Sequence, residues 1–466
     1  MKLNARTFFA TAVLAATIVF SACPAEITKK TAVSSIPDEW KNLRIYQVMV
    51  SAFQDGDPSI GYEQAYGPWD QTTGGDLRGI INALPYIKSL GMNAIWMTPI
   101  FDSAGKNDEK LNSTGYFAYD YFNVDPHFGT KSDLTELVEK AHSMGIAVIL
   151  DGVFGHWSQG GIKESPFGNL PKRSHGQYKG CDYPESLAFF NEVAAYWIKN
   201  FNIDGWRLDQ CYQVGLGEHA NGDGDNCYTG GHNYWYEIRK TVEEAAASNG
   251  TLGYMVGEHW NGNAAIIQKG SVNPGSADGY GLRSCFDFPA RYKIVQSLAK
   301  EEGTNTGTTS LGDAVSYCLK SASAKGYSHP DGGYIPNLFI TNHDLFRFGN
   351  LVNRKFGDDN TTDRYFGLHR AAIAILAVYS GPITLYYGDE WGAYTNGYNK
   401  EGDLGAYNDN SSRTVGRFYH KQKRKYCEIQ LQRYRLAYRT NDRWFVSALF
   451  RRIRAFRLEP EDRPLS

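Results

Sequence analysis

Residues 204–209 read D-G-W-R-L-D, a short apolar stretch with Arg207 and Asp209 near its end. The segment G-W-R-L has the length and composition of a buried strand. Because side chains alternate along a strand, Arg207 and Asp209 point to the same side. Taken alone, the pair is either a salt-bridged strand end or half of an active site. The surrounding sequence decides between these two interpretations.

The same kind of apolar stretch recurs along the chain, separated by amphipathic helical patterns. The predicted strands are 45–50, 94–97, 147–150, 205–208, 254–256, 285–288, 338–341 and 383–386. The predicted helices are 76–89, 132–143, 186–200, 234–247 and 365–378. Strands that alternate with helices predict a parallel sheet, and eight strands predict an α/β fold closed into a (β/α)8, or TIM, barrel. The longest loops follow strands two, three and four, on the face where barrel enzymes carry their active sites.

Carboxylates stand at the ends of three of these strands. Asp209 ends strand four, Glu258 ends strand five and Asp344 ends strand seven, so all three are predicted to converge on one rim. Two carboxylates that flank a glycosidic bond at about 5 Å can act as nucleophile and general acid in a retaining hydrolysis. Arg207 would favour the charged form of Asp209. The apolar neighbours in V-G-E-H-W, including Trp260, would raise the pKa of Glu258.

Four ordered segments make the chain resemble the α-amylase family of glycoside hydrolases. They are D-G-V-F-G-H at 151–156, G-W-R-L-D at 205–209, V-G-E-H at 256–259 and T-N-H-D at 341–344. Flanking stretches agree with them: G-G-D-L at 74–77, T-G-Y-F-A-Y-D-Y at 114–121, D-P-H-F-G-T at 125–130 and L-Y-Y-G-D-E at 385–390. The resemblance covers about residues 43–413. It implies a (β/α)8 barrel with a short subdomain inserted after strand three, at 155–185.

The resemblance also implies a role for each matched residue. Asp209 would be the nucleophile, Glu258 the acid/base and Asp344 the third carboxylate, which helps to distort and hold the sugar. Tyr116 would stack on the sugar ring at the cleavage subsite. An oxocarbenium-like transition state is stabilised by a carboxylate beneath it and by donors to the 2-hydroxyl. The residues that would bind hydroxyl groups and orient the carboxylates are His156, Arg207 and His343.

A structural calcium ion is common in this family, and the sequence departs from its usual site. Where relatives carry asparagine just before the histidine of the first segment, this chain has Gly155, which offers no side-chain oxygen. Some relatives instead hold calcium near the first strand, and F-Q-D-G-D-P-S at 53–59 together with G-G-D supplies hard oxygen ligands there. The candidate ligands are Asp55, Asp57 and Asp76. The alternative interpretation is a polar turn with Asp76 as a helix N-cap.

The residues after the predicted nucleophile leave the preferred linkage open. Many α-amylases continue with Lys-His, whereas this chain has Tyr212 and Gln213. In the family that position touches the sugar beyond the point of cleavage. The resemblance therefore does not settle which linkage or acceptor the chain prefers.

The first residues have the pattern of an exported protein. Lys2 and Arg6 precede an apolar run over 8–20, and F-S-A-C at 20–23 resembles a bacterial lipobox. We expect a signal peptide over 1–22, lipidation of Cys23 and a linker over 23–40. The protein would then cross the inner membrane of a bacterium, to the periplasm or to the outer membrane or cell surface as a lipoprotein. With a net charge of −2, the chain has no basic field that would favour nucleic acid.

The segment 415–466 differs in composition from the predicted barrel over 41–414. It contains 14 Lys or Arg against 5 Asp or Glu, a net of +9, without a clear amphipathic or strand period. A basic tail can bind anionic partners. We expect instead that a change of reading frame or a truncation has replaced the last barrel helix and the β-sandwich domain usual in the family.

Five cysteines fall between the predicted signal and this tail. An exported protein can form disulfides, and the economical pairs are Cys211–Cys227 and Cys285–Cys318. Spacing alone does not decide the pairing.

Together these features predict a retaining α-glycoside hydrolase that cleaves α-1,4-glucosidic bonds of starch, glycogen or maltodextrins by double displacement. An α-1,6-active, neopullulanase-like or transglycosylating relative is the alternative within the same chemistry. A catalytically silent glucan-binding protein is the alternative of a different class.

Overall fold

The computed structural model describes residues 36–64, 74–173, 181–211, 228–229, 232–272, 279–301, 307–330, 332–396 and 412–414. The predicted signal peptide with Cys23, the residues Tyr212, Gln213 and Cys227, and the basic tail lie outside the described residues. In the part of the chain that the structure describes, no helix is both long and apolar enough to cross a membrane.

Eight parallel segments form a closed barrel. They are β1 (Arg44–Val48), β2 (Ala94–Met97), β3 (Ala147–Gly152), β4 (Gly205–Leu208), β5 (Tyr254–Gly257), β6 (residues 285–286), β7 (Leu338–Phe339) and β8 (Ile383–Tyr386). The pairing order is β7-β8-β1-β2-β3-β4-β5. Single bridges from Gly257 to Cys285 and from Phe286 to Asn337 close the ring through β6. The predicted (β/α)8 barrel is confirmed, and its weak sixth strand is reduced to these two bridges.

The barrel helices follow the strands in chain order. They are α1 (Leu77–Ser89), α2 (Lys131–Ser143), α3 (Leu187–Phe201), α4 (Tyr234–Asn249), α5 (Ala264–Ser271), α6 (Phe288–Leu298) and α7 (Asp363–Val378). The five helices predicted from the sequence are present, with ends that differ by one or two residues. Short helices in the loops and outside α6 are Asp38–Lys41, Val50–Phe53, Glu109–Thr114, Leu311–Cys318, Ala322–Lys325 and Phe348–Phe356. Small antiparallel pairs join Phe101–Asp102 to Asp120–Val124 and Tyr228–Thr229 to His232–Asn233.

Polar caps fix where the loops end and the helices begin. Asp76 caps α1, since its Oδ1 accepts a hydrogen bond from the Gly79 N–H at 2.6 Å. Thr130 and Asp133 form a reciprocal capping box at the start of α2, an arrangement that satisfies two backbone donors at once.

The barrel strands are buried on both faces, because helices cover the outside and side chains fill the inside. Every residue of β2, β4 and β8 is buried, and Trp96 and Trp206 are among the largest fully buried side chains. Such strands are apolar on both faces rather than alternating. A charged residue within one of them, such as Arg207 in β4, therefore needs partners that compensate for its loss of water.

The predicted disulfide Cys285–Cys318 is wrong. The two residues are separate buried thiols. Cys285 lies in β6, where its thiol interacts with that of Cys211. Cys318 ends the helix Leu311–Cys318, which packs outside α6. The two cysteines therefore occupy different layers of the fold, and spacing in the sequence did not reveal this.

Candidate active site

Arg207 is the centre of a buried cluster of charges at the carboxyl ends of β3, β4 and β5. Its Nη1 lies 2.7 Å from Asp151 Oδ1 and 3.0 Å from Asp209 Oδ1. Its Nη2 lies 2.8 Å from Glu258 Oε2. Sheet register explains the first contact, since Asp151 in β3 pairs with Arg207 in β4. The guanidinium is 0% exposed, and three carboxylates compensate for the burial of its charge.

Backbone hydrogen bonds hold Asp209 and Glu258 at the ends of adjacent strands. The Asp209 N–H donates to Gly152 O at 3.0 Å, and the Glu258 N–H donates to Leu208 O at 2.8 Å. Both carboxyl groups contact the same guanidinium, that of Arg207. Glu258 Oε2 also accepts from the Gln210 N–H at 3.1 Å. Gln210 has a φ of 39°, in the left-handed region that non-glycine residues rarely adopt.

Burial shifts the two carboxyl groups unequally. Loss of water raises the pKa of Glu258 to about 8, with Arg207 opposing the shift and Asp209 adding to it. Loss of water also raises the pKa of Asp209 to about 6, although Arg207 and the hydrogen bond from Glu258 lower it. Arg207 acts on Asp209 in the predicted direction, but burial outweighs it. Because Asp209 loses its proton first, the pair divides into a base and an acid.

Asp344 has the opposite shift. Burial alone would raise its pKa, but His343, Arg413 and Arg207 outweigh burial and hold the pKa below its ordinary value. Burial lowers the pKa of His343 to about 3, so its imidazole is neutral at physiological pH. His343 Nε2 lies 3.1 Å from Asp344 Oδ2. His343 therefore lies beside Asp344 as a neutral ring, and the permanent positive charge near Asp344 comes from Arg413 and Arg207.

Gln47 in β1 sets the protonation of the His343 ring. Its amide nitrogen lies 2.8 Å from His343 Nδ1. If that amide donates, Nδ1 accepts and the ring proton is on Nε2, which faces both Asp344 and the Tyr116 hydroxyl at 2.7 Å. Sequence analysis missed Gln47. The sequence does carry a signal for it: Gln47 is the one polar amide within the otherwise apolar strand I-Y-Q-V.

Tyr116 and His156 complete the predicted set. The Tyr116 hydroxyl donates to Asp151 Oδ2 at 2.8 Å, and its ring stacks on that of His343 at 5.4 Å and 10°. His156 Nδ1 lies 3.9 Å from Asp209 Oδ2, and burial lowers its pKa to about 4. The structure thus brings together all seven predicted catalytic and substrate-binding residues: Tyr116, His156, Arg207, Asp209, Glu258, His343 and Asp344. Their individual roles stay predictions.

The predicted tryptophan beside the acid is partly exposed and packs on α6. Trp260 is 40% exposed and stacks on Phe288 at 5.7 Å, with its indole N–H donating to the Tyr292 hydroxyl at 2.8 Å. The raised pKa of Glu258 has burial as its largest cause, so the predicted apolar environment raises the pKa in the expected direction.

Two of the three candidate calcium ligands near β1, Asp57 and Asp76, accept hydrogen bonds from nearby backbone N–H groups. Asp76 Oδ1 accepts from Gly79 N–H, and its Oδ2 accepts from Gly56 N–H at 3.0 Å and Asp57 N–H at 2.8 Å. Asp57 Oδ1 accepts from the Ser59 N–H and hydroxyl, at 3.0 and 2.6 Å. These oxygens fit the polar turn and N-cap that the sequence left as an alternative.

Among the described residues, no group of three or more His, Cys, Asp or Glu side chains could hold a metal ion. Calcium bound by Asp55, Asp57 and Asp76 stays a prediction, and no step proposed below depends on it.

A buried arginine among carboxylates at the carboxyl rim of a (β/α)8 barrel is typical of a barrel enzyme with acid–base chemistry. The family model described as the catalytic domain of alpha amylase matches residues 47–167 and 184–433. The chain belongs to the α-amylase family of glycoside hydrolases.

Individual relatives agree with this assignment. The cyclomaltodextrinase of Thermoanaerobacter pseudethanolicus is 28% identical over 391 residues, which cover 76% of this chain and 58% of that protein. Neopullulanase 2 of Thermoactinomyces vulgaris is 27% identical over 399 residues, 78% of this chain and 58% of that protein. A crystal structure of an AmyP variant in complex with maltotriose is 36% identical, with a TM-score of 0.73, and covers 92% of this chain and 81% of that chain. The chain thus spans less than two thirds of the length of the two curated relatives.

Proposed function

We propose that the protein is a retaining α-glycoside hydrolase that cleaves α-1,4-glucosidic bonds in starch, glycogen or maltodextrins by double displacement. The observation that carries this proposal is the pairing of Asp209 and Glu258. They bind the two terminal nitrogens of one guanidinium.

The guanidinium of Arg207 holds the two carboxyl groups close together, which favours retention of configuration. An inverting mechanism needs room for a water molecule and separates its carboxyl groups by roughly 6.5–9.5 Å, whereas a retaining pair stands at about 5–5.5 Å. Asp209 and Glu258 contact the two terminal nitrogens of one guanidinium, at 3.0 and 2.8 Å. Their closeness supports direct attack by one carboxylate on the sugar rather than activation of water between them.

Their unequal pKa values support one division of labour. In the first step, ionised Asp209 attacks the anomeric carbon while Glu258 gives its proton to the leaving oxygen. In the second step, the Glu258 carboxylate takes a proton from water, whose oxygen displaces Asp209 from the sugar. Asp344 and Arg207 would stabilise the charge that develops between these states.

The substrate class rests on the relatives. The names cyclomaltodextrinase and neopullulanase and the maltotriose complex all concern α-glucans. Similarity to neopullulanase 2 also favours a second candidate, α-1,6 cleavage or transglycosylation by the same residues.

Product analysis separates these candidates. The full chain is incubated with maltoheptaose and with pullulan, products are identified by mass spectrometry, and proton NMR follows the first anomer released. Shorter maltooligosaccharides released from maltoheptaose as the α-anomer support the proposal. Maltotriose released from pullulan would show α-1,6 cleavage, and products longer than the substrate would show transglycosylation, so either would support the second candidate. Initial β-anomer would contradict retention.

The activity should show a bell-shaped dependence on pH. As pH falls through the pKa of Asp209, about 6, the nucleophile is protonated and the rate falls. As pH rises through the pKa of Glu258, about 8, the acid loses its proton and the rate falls again. The check is kcat/KM on maltoheptaose from about pH 4 to about pH 10. A rate that stays constant across the alkaline half of this range would contradict Glu258 as the acid.

We also propose that the protein is an exported lipoprotein. Support comes from the basic start, the apolar run and F-S-A-C at 20–23. Incorporation of labelled palmitate in a bacterial host, lost in Cys23→Ala, would test it. Equal labelling of both forms, or labelling of neither, would contradict it.

A further inference from the structure

A three-residue segment at 412–414 is hydrogen-bonded to residues at the carboxyl ends of β7 and β8. The buried Ser412 donates from Oγ to His343 O at 2.7 Å and accepts at its carbonyl from the Tyr386 hydroxyl at 3.0 Å. Thr414 Oγ1 accepts from Arg347 Nη2 at 2.9 Å. These contacts fix both ends of the segment and leave the residue between them, Arg413, directed at the site.

Arg413 binds the T-N-H-D segment at two points. Its Nε donates to His343 O at 3.2 Å, and its Nη2 donates to Asp344 Oδ1 at 2.9 Å. The other oxygen of this carboxylate, Oδ2, faces His343 Nε2 at 3.1 Å. The Arg413 side chain is only 9% exposed, whereas that of Asp344 is 26% exposed. One oxygen of the third carboxylate is therefore held by a shielded cation, and the other lies beside a neutral imidazole.

We propose that Arg413 is a positioning residue of the active site: it fixes the orientation of Asp344 and keeps that carboxylate ionised. This inference rests on the proposed glycosidase function and adds a residue that lies outside the four family segments. Two arginines then serve separate parts of the cluster. Arg207 binds Asp151, Asp209 and Glu258, and Arg413 binds Asp344.

The division explains why the carboxylates differ. Burial opposes ionisation of all of them, yet the pKa of Asp344 lies below its ordinary value and that of Glu258 lies above it. Arg413 acts on Asp344 and His343. The positive charge of Arg207, in contrast, is already shared among three other carboxylates. Without Arg413, the cluster would lose one positive charge and the carboxylates would bind protons more readily. The groups that interact with Asp344 include His343, Arg413, Arg207, Asp209, Glu258 and Tyr116.

The test uses the full chain with Arg413→Ala and Arg413→Lys. The matched control is Arg78→Ala, because Arg78 also bridges two carboxylates, Asp133 and Glu136 at 2.6 and 2.7 Å, but on the outer helices. Measurements are kcat and KM on maltoheptaose, the acid limb of the pH profile, and activity with added guanidinium ion well below denaturing concentrations.

For Arg413→Ala we expect kcat/KM to fall about 10- to 100-fold, the loss that accompanies one charge-assisted hydrogen bond. Because Asp344 would then bind a proton more readily, its protonation should join that of Asp209 in setting the acid limb and move this limb to higher pH. Guanidinium should restore part of the activity. Arg413→Lys should keep the acid limb but lower kcat, because an ammonium lacks the planar fork that binds both acceptors. Arg78→Ala should change neither kcat nor the acid limb.

Two results would overturn the inference: Arg413→Ala with the wild-type kcat/KM and acid limb, or a loss in Arg413→Ala that guanidinium does not relieve while the acid limb stays in place. If Arg413→Ala does not fold, Arg413→Lys decides, and wild-type kcat in that variant would overturn it. Absence of sugar release by the unmodified chain would instead refute the proposed function.

Discussion

Asp209→Asn should lower kcat on maltoheptaose by roughly 10^4- to 10^6-fold, the effect of removing a covalent nucleophile whose partner groups remain in place. Asparagine keeps the shape of the side chain but cannot form the glycosyl ester. Arg207 would still bind Asp151 and Glu258, so the fold should survive. The measurement is reducing-sugar release by wild type and variant. Equal background in both would leave only the silent glucan-binding alternative.

Asp204→Asn is the matched control for this experiment, because Asp204 and Asp209 flank the same strand. Asp204 Oδ2 accepts from His142 Nε2 at 2.7 Å and from the Val148 N–H at 2.8 Å, at the end of the barrel that carries stability rather than catalysis. We expect the free energy of unfolding of the variant to be lower than that of wild type by roughly 1–3 kcal/mol, with kcat close to that of wild type. A comparable loss of kcat in Asp204→Asn would mean that the effect of Asp209→Asn arises from the strand and not from the carboxylate.

The stretch D-G-W-R-L-D at 204–209 shows what a sequence can predict. G-W-R-L is β4 with the predicted bounds, because its length and its apolar composition are those of a buried strand. The same reasoning placed Asp209, Glu258 and Asp344 on one rim. It depends only on the rule that parallel strands end on the same face.

What the sequence left out depends on contacts distant along the chain. Asp151 was visible at the end of β3, but its bond to Arg207 appears only when β3 and β4 pair. Arg413 reaches Asp344 across 69 residues, and no local pattern marks it. The net pKa of Asp209 was also beyond reach, since burial and the pull of Arg207 oppose each other and only the three-dimensional environment decides the sign.

Glu258→Gln should lower kcat on maltoheptaose by roughly 10²- to 10⁴-fold, the usual contribution of general acid catalysis. Glutamine still fills the space beside Arg207 but has no proton to give to the leaving oxygen. The alkaline limb of the pH profile, which reports Glu258, should disappear from the residual activity. Asp209 would remain able to attack.

Leaving-group chemistry then separates an acid from a merely structural glutamate. An α-glucosyl fluoride leaves without protonation, so Glu258→Gln should form its glycosyl–Asp209 ester at a rate close to that of wild type and hydrolyse it slowly. Mass spectrometry should therefore detect the ester on the variant. Added azide, a nucleophile that needs no general base, should release it as the α-glucosyl azide. Asp209→Asn should give neither ester nor azide product, because it lacks the attacking oxygen. A Glu258→Gln variant that loses fluoride and maltoheptaose turnover equally, without an ester, would show that Glu258 holds the cluster together rather than donating a proton.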